Sequence, residues 1–130
     1  MESPIYKLYA IVSAPAIKAM GGNRGRLATQ VGHAYVHALW DAEARFAEDV
    51  HSYRTQGSAF KVALVADDSQ VLRDLAEKYR AICGVSLVEE TGSKGDGSVN
   101  EAVKGVTALG IGPLRIDLID DDLRRLKGFV

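Results

Sequence analysis

Residues 20–39, MGGNRGRLATQVGHAYVHAL, gather Arg24, Arg26, Gln30, His33 and His37 where a glycine-rich turn passes into a helical period. Counted at about 100° per residue from Arg26, the side chains of Gln30, His33 and His37 lie within about 60° of one another on one polar stripe. A helix start of this kind offers unpaired backbone N–H groups, the positive end of the helix dipole and two guanidinium groups. Together they suit a phosphate or a carboxylate. The plainer reading is an amphipathic helix with a solvated basic cap. Against it, arginine in a first helical turn opposes the dipole and costs a little stability, and locally unfavourable choices tend to mark sites.

His33 and His37, four residues apart, share a helix face and would suit two ligands of one metal. The glutamate of the zinc-protease pattern is replaced by Ala34, and beyond His51 the sequence has no further histidine to complete the set, so no metal is expected. Glu89 and Glu90 close an apolar run just before a glycine-rich stretch. Carboxylates at strand ends serve in α/β folds either as catalytic groups or as solvated caps, and strand alternation lets one of the two face the helix. Neither a dinucleotide-binding glycine fingerprint nor a phosphate-binding loop with lysine is present, and Cys83 and the serines lack a nucleophile-elbow context.

These groups must be positioned by a chain of 130 residues with formal net charge −1, a length suited to one domain over 1–130. The overall balance gives no general attraction to nucleic acid, so a polyanion site must come from local segregation. Such segregation exists: between Ser3 and Trp40 no Asp or Glu occurs, whereas Lys7, Lys18, Arg24 and Arg26 do. The lone Cys83 suits a reducing compartment, no apolar run approaches a membrane span, and the first residues lack a signal-peptide plan. The expected location is the cytoplasm.

IYKLYAIV (5–12) reads as a first strand, residues 13–24 as a loop, and a helix is expected from Gly25 to about Val50 with Ala28, Val31, Tyr35, Ala38 and Ala42 toward the core. FKVALVA (60–66), GVSLVEE (84–90) and VTALGIG (106–112) read as further strands. Residues 67–82 form a helix capped by Asp67, Asp68 or Ser69, residues 91–105 a polar loop, and Pro113 opens a last helix. Strands alternating with helices predict a layered α/β fold with the first two strands parallel.

The order of RGRLATQVGHAYVHAL, FKVALVADDSQVLRDLAEKYRAICGVSLVEETG and VTALGIGPLRIDLIDDDLRRLKGF resembles the type 2 peptidyl-tRNA hydrolases over nearly the whole chain. Gln30, His33 and Ala34 match the family's Ala-Ala-Gln-x-x-His-Ala motif. Thr107 to Pro113, TALGIGP, matches its Thr-x-Leu-Gly-Ile-Gly-Pro strand. The resemblance implies a three-layer α/β/α fold on a small, mostly four-stranded mixed sheet, with no cofactor. The family's catalytic lysine falls on Arg26, its aspartate on Glu90, a turn threonine on or near Lys94 within a lengthened loop, and another loop threonine on Gly105.

The implied reaction is hydrolysis of the ester joining a peptide to the terminal ribose of tRNA. In it Glu90 would orient or deprotonate water, Arg26 would stabilise the oxyanion or a phosphate, and Gln30 and His33 would position the substrate. Lys18, Arg24, Lys94 and Thr107 would bind the substrate, the cations by tracking the tRNA backbone. These altered positions keep two alternatives open: a binding module for RNA, nucleotide or another anionic ligand without hydrolysis, and a hydrolase for a different substrate. The mix of polar and apolar groups around Trp40 and Phe46 would suit a homodimer.

Overall fold

The computed structural model describes residues 4–91 and 105–129. Its first strand, β1 (Tyr6–Ser13), is apolar on both faces because both are covered. Tyr6, Leu8, Ala10 and Val12 turn toward one layer of helices, and Tyr9 and Ile11 toward the other. The elements that follow are α1 (Ala14–Ala19), α2 (Arg24–Arg45), α3 (Ala47–Thr55), β2 (Lys61–Ala66), α4 (Ser69–Tyr79), β3 (Val85–Glu90) and β4 (Gly105–Arg115). A 3₁₀ turn at Ile116–Leu118, α5 (Asp121–Arg124) and β5 (Lys127–Gly128) complete the chain. The sheet order is β3-β4-β1-β2-β5. As expected, β1 and β2 are parallel; β4 is antiparallel to β1 and β3, and the two-residue β5 adds a fifth strand beside β2.

On one face α4 buries Leu72, Leu75, Ala76 and Tyr79 against Ile11, Leu109 and Ile111. Each large aliphatic side chain buried there contributes about 1.5–3 kcal/mol. Asp68 caps α4 by accepting the Val71 N–H at 3.0 Å. On the opposite face α2 lies unusually close, because Gly110 and Gly84 present no side chain beneath Ala34, Ala38 and Ala42. A Cβ on Gly110 would stand 1.9 Å from the Ala34 carbonyl oxygen, and one on Gly84 2.3 Å from that of Ala38. The carboxylate of Asp41 on α2 accepts the Val85 N–H at 2.9 Å, pinning the helix to the start of β3.

Several sequence expectations are corrected. The stretch 13–24 is not all loop: Ser13 caps the short α1, and the turn narrows to Met20–Asn23, with Gly21 and Gly22 at φ of 60° and 82°. The long helix ends at Arg45, where Phe46 leaves helical geometry and α3 begins. Ala28 is exposed, whereas Gln30, expected on the polar stripe, is buried beside Leu27 and Ala34. Pro113 opens no helix; it lies inside β4, where Gly112 and Pro113 together oppose the single residue Leu8. Proline is tolerated at such a bulge because the ladder bond it cannot donate is already interrupted.

Candidate active site

The site begins at the end of the glycine turn. Asn23 caps α2 by accepting the Arg26 N–H at 3.0 Å, which fixes the first turn and the direction in which Arg26 leaves it. From there the Arg26 Nη2 reaches Glu90 Oε1 on β3 at 3.2 Å. The carboxylate also offsets the unfavourable placement of a cation at the positive end of the helix. Strand alternation works as expected: Glu89 is exposed, and Glu90 faces α2.

One turn further along α2, Gln30 is 4% exposed and donates its Nε2–H to Glu90 Oε2 at 2.8 Å. Its Oε1 accepts the Thr107 hydroxyl at 2.7 Å. Thr107 is itself buried and stands 3.5 Å from the Val88 carbonyl. Its orientation comes from a β-bulge. Val88 pairs with Ala108 and Glu89 with Val106, so Thr107 is an extra residue in β4. Val106 and Leu109 face the α4 layer, while Thr107 and Ala108 both face α2. Bulges re-aim side chains in this way near active sites.

Of the residues singled out in the sequence, Arg26, Gln30, Glu90 and Thr107 therefore form one connected cluster, with Thr107 behind Gln30 as its anchor. His33 is brought near but not into it: it is exposed, and its ring lies tilted by 53° to that of His37 with centroids 5.5 Å apart. Lys18 and Arg24 are exposed around the turn and make no ion pair among the described residues. Lys94 lies outside the described residues. Sequence reading passed over the ring of His37 stacked on Trp40, centroids 5.1 Å apart and planes inclined by 19°, which continues the same stripe of α2. The spacing of three residues between two aromatic groups was the available signal.

A cavity of about 580 Å³ lined by Val71, Leu75, Lys78, Asp122, Arg125 and Leu126 belongs to the α4 layer, across the sheet from this cluster. Three of its charged groups engage one another or a neighbour: Lys78 pairs with Asp120 and Asp122, and Arg125 with Asp122. No group of three or more metal-ligating side chains occurs among the described residues, nor does any helix long and apolar enough to cross a membrane.

What the α2 cluster can do follows from its parts. A carboxylate with both oxygens held by fixed donors is aimed as a proton acceptor, and the guanidinium beside it is a permanent positive charge. The pairing suits a reaction in which water is activated and negative charge develops nearby. Residues 6–129 match the model of the family described as Peptidyl-tRNA hydrolase PTH2, and the chain belongs to that family.

Proposed function

We propose that this member of the type 2 peptidyl-tRNA hydrolase family cleaves the ester between a peptidyl or N-blocked aminoacyl group and the terminal ribose of tRNA. The observation that carries the reading is the convergence of Arg26, Gln30 and Glu90, held by Thr107, at the start of α2. Glu90 accepts a proton from water as the water oxygen bonds to the ester carbonyl carbon. The electron pair displaced from the C=O bond resides on an oxyanion that Arg26 stabilises. Collapse re-forms the carbonyl and breaks the bond to the ribose oxygen, which takes the proton back from Glu90. The products are a free carboxyl group and a ribose hydroxyl.

In this scheme Gln30 acts through Glu90, fixing the direction of its carboxylate, and Thr107 fixes Gln30. His33, exposed at the lip, meets the substrate, and Lys18, Arg24 and Lys94 bind phosphates. A lone cysteine that is fully buried suits a reducing compartment, in keeping with work in the cytoplasm.

One observation favours a second reading. Arg26 and Glu90 already satisfy each other at 3.2 Å, and arginine and glutamate stand where the family's pattern has lysine and aspartate. A site so arranged would suit a protein that binds tRNA or another anion without cleaving it. Incubation with N-acetyl-aminoacyl-tRNA separates the two. Release of the acetylated amino acid above the spontaneous rate, suppressed by Arg26→Ala, supports hydrolysis. Salt-sensitive binding with no release supports the binding module.

A further inference from the structure

We propose that the exposed rings of His33, His37 and Trp40 form a stacking platform for the unpaired nucleotides at the 3′ end of tRNA, between the ester at Glu90 and the acceptor duplex. This rests on the peptidyl-tRNA reading of the α2 cluster and adds to it a binding surface on the same helix. The first support is the rings themselves. Trp40 is 59% exposed and Val36 beside it 43%, whereas tryptophan is ordinarily mostly buried. The Trp40 ring is stacked on His37, and the His33 ring follows at 5.5 Å, tilted by 53°, so three exposed aromatic rings succeed one another along the helix. Bases stack on aromatic faces whatever their identity.

The second support is continuity. Positions 26, 30, 33, 37 and 40 follow one stripe of α2, so the row of rings starts where the catalytic cluster stops. At about 1.5 Å of rise per residue, Gln30 and Trp40 are separated by about 15 Å along the helix axis. Stacked nucleotides advance by about 3.4 Å each, so four of them span about 14 Å, close to that separation. A single-stranded end held at Glu90 by its terminal ribose thus reaches Trp40 with its last unpaired base.

Charge provides the third support. Residues 4–40 contain no acid to repel phosphates, and Lys18 and Arg24 are exposed beside the start of α2. The first acids after Trp40 are engaged, Asp41 by Arg45 and Glu43 by Arg54. Phe46, the other aromatic group at that end, is half-buried with the Arg45 guanidinium 4.9 Å from its ring centre, which leaves Trp40 as the open face.

Trp40 is the chain's only tryptophan, so its fluorescence reports this surface alone. The test compares two uncharged acceptor minihelices, one ending in a single-stranded NCCA and one blunt. Saturable quenching is expected with the overhang and not with the blunt duplex. With a dye-labelled overhang minihelix, Trp40→Leu should weaken binding at least about fivefold, and Trp40→Phe should restore most of it. Because Trp40 is exposed, both variants should melt with the parent protein. Equal response to the two minihelices, in a preparation that hydrolyses N-acetyl-aminoacyl-tRNA, overturns the platform while leaving the hydrolase reading intact. A Trp40 signal that instead follows protein concentration and dimer mass without RNA also overturns it, making a second copy the occupant. Overhang-specific quenching without ester cleavage upholds the platform and removes the hydrolase reading.

Discussion

Glu90 receives the Gln30 side-chain N–H at 2.8 Å, a contact between residues 60 apart in the chain that joins the end of β3 to the second turn of α2. Its direction is chemically fixed. An ionised carboxylate only accepts hydrogen bonds, so the Gln30 amide must turn its NH₂ toward Glu90 and its oxygen toward Thr107, whose hydroxyl must then donate. Four side chains, from Arg26 through Glu90 and Gln30 to Thr107, are oriented by that one requirement.

Thr107→Val preserves shape and removes the only donor seen for the Gln30 oxygen among the described residues. Leaving a buried amide oxygen unpaired costs about 1–3 kcal/mol. Urea unfolding should show a loss in that range, and the released amide should lower kcat as Glu90 loses its fixed partner. Unchanged stability and kcat would show that Thr107 does not anchor the cluster.

Gly110→Ala tests how α2 is held over the sheet. The added Cβ would fall 1.9 Å from a backbone oxygen of α2, and no rotamer change relieves a clash with backbone. Overpacking of this severity should cost about 3 kcal/mol or more, seen as a large drop in Tm or as failure to fold. A variant that melts with the parent would mean that α2 sits further from β4.

The layered α/β architecture and the parallel β1–β2 pair were legible because both rest on local periodicity and on handedness, which a sequence carries directly. Arg26 and Glu90 were legible as chemistry, since an arginine at a helix start and a glutamate at a strand end are each conspicuous. Gln30 was misplaced because a polar side chain on the core face mimics the solvent face; only its partners, Glu90 and Thr107, reveal why it is buried. Thr107 stood out through the TALGIGP match, but its place behind Gln30 was not legible, because strand alternation cannot register an inserted residue. Pro113 misled for the same reason, since a bulge that accommodates proline leaves no mark of its own. The alanines of α2 gave little hydrophobic contrast, and their contact with Gly84 and Gly110 is a long-range fact.

Asp120 provides a pH dependence on the other side of the fold. Partial burial pulls its carboxyl upward, but the Lys78 ammonium, the Tyr79 hydroxyl and the Leu123 N–H outweigh burial and hold it down at about 2, against an ordinary 3.8. A carboxyl lowered by folding adds stability that is fully present above its unfolded value and is lost as pH falls toward the folded one. Denaturant midpoints should therefore fall between about pH 4 and pH 2, and Asp120→Asn should flatten that part of the profile. The same slope in Asp120→Asn would assign the acid loss to other carboxylates.

Glu90→Gln separates a Glu90 that takes the proton from the attacking water from one that only anchors Gln30 and Arg26. The substitution keeps the size of the side chain and an oxygen to accept the Gln30 N–H, while removing the basic oxygen. Measured as release of N-acetyl amino acid from acetylated aminoacyl-tRNA, kcat should fall by about 100-fold or more, with the melting temperature close to that of the parent. A Glu90→Gln enzyme that hydrolyses the ester at the parental rate would show that Glu90 is not the base.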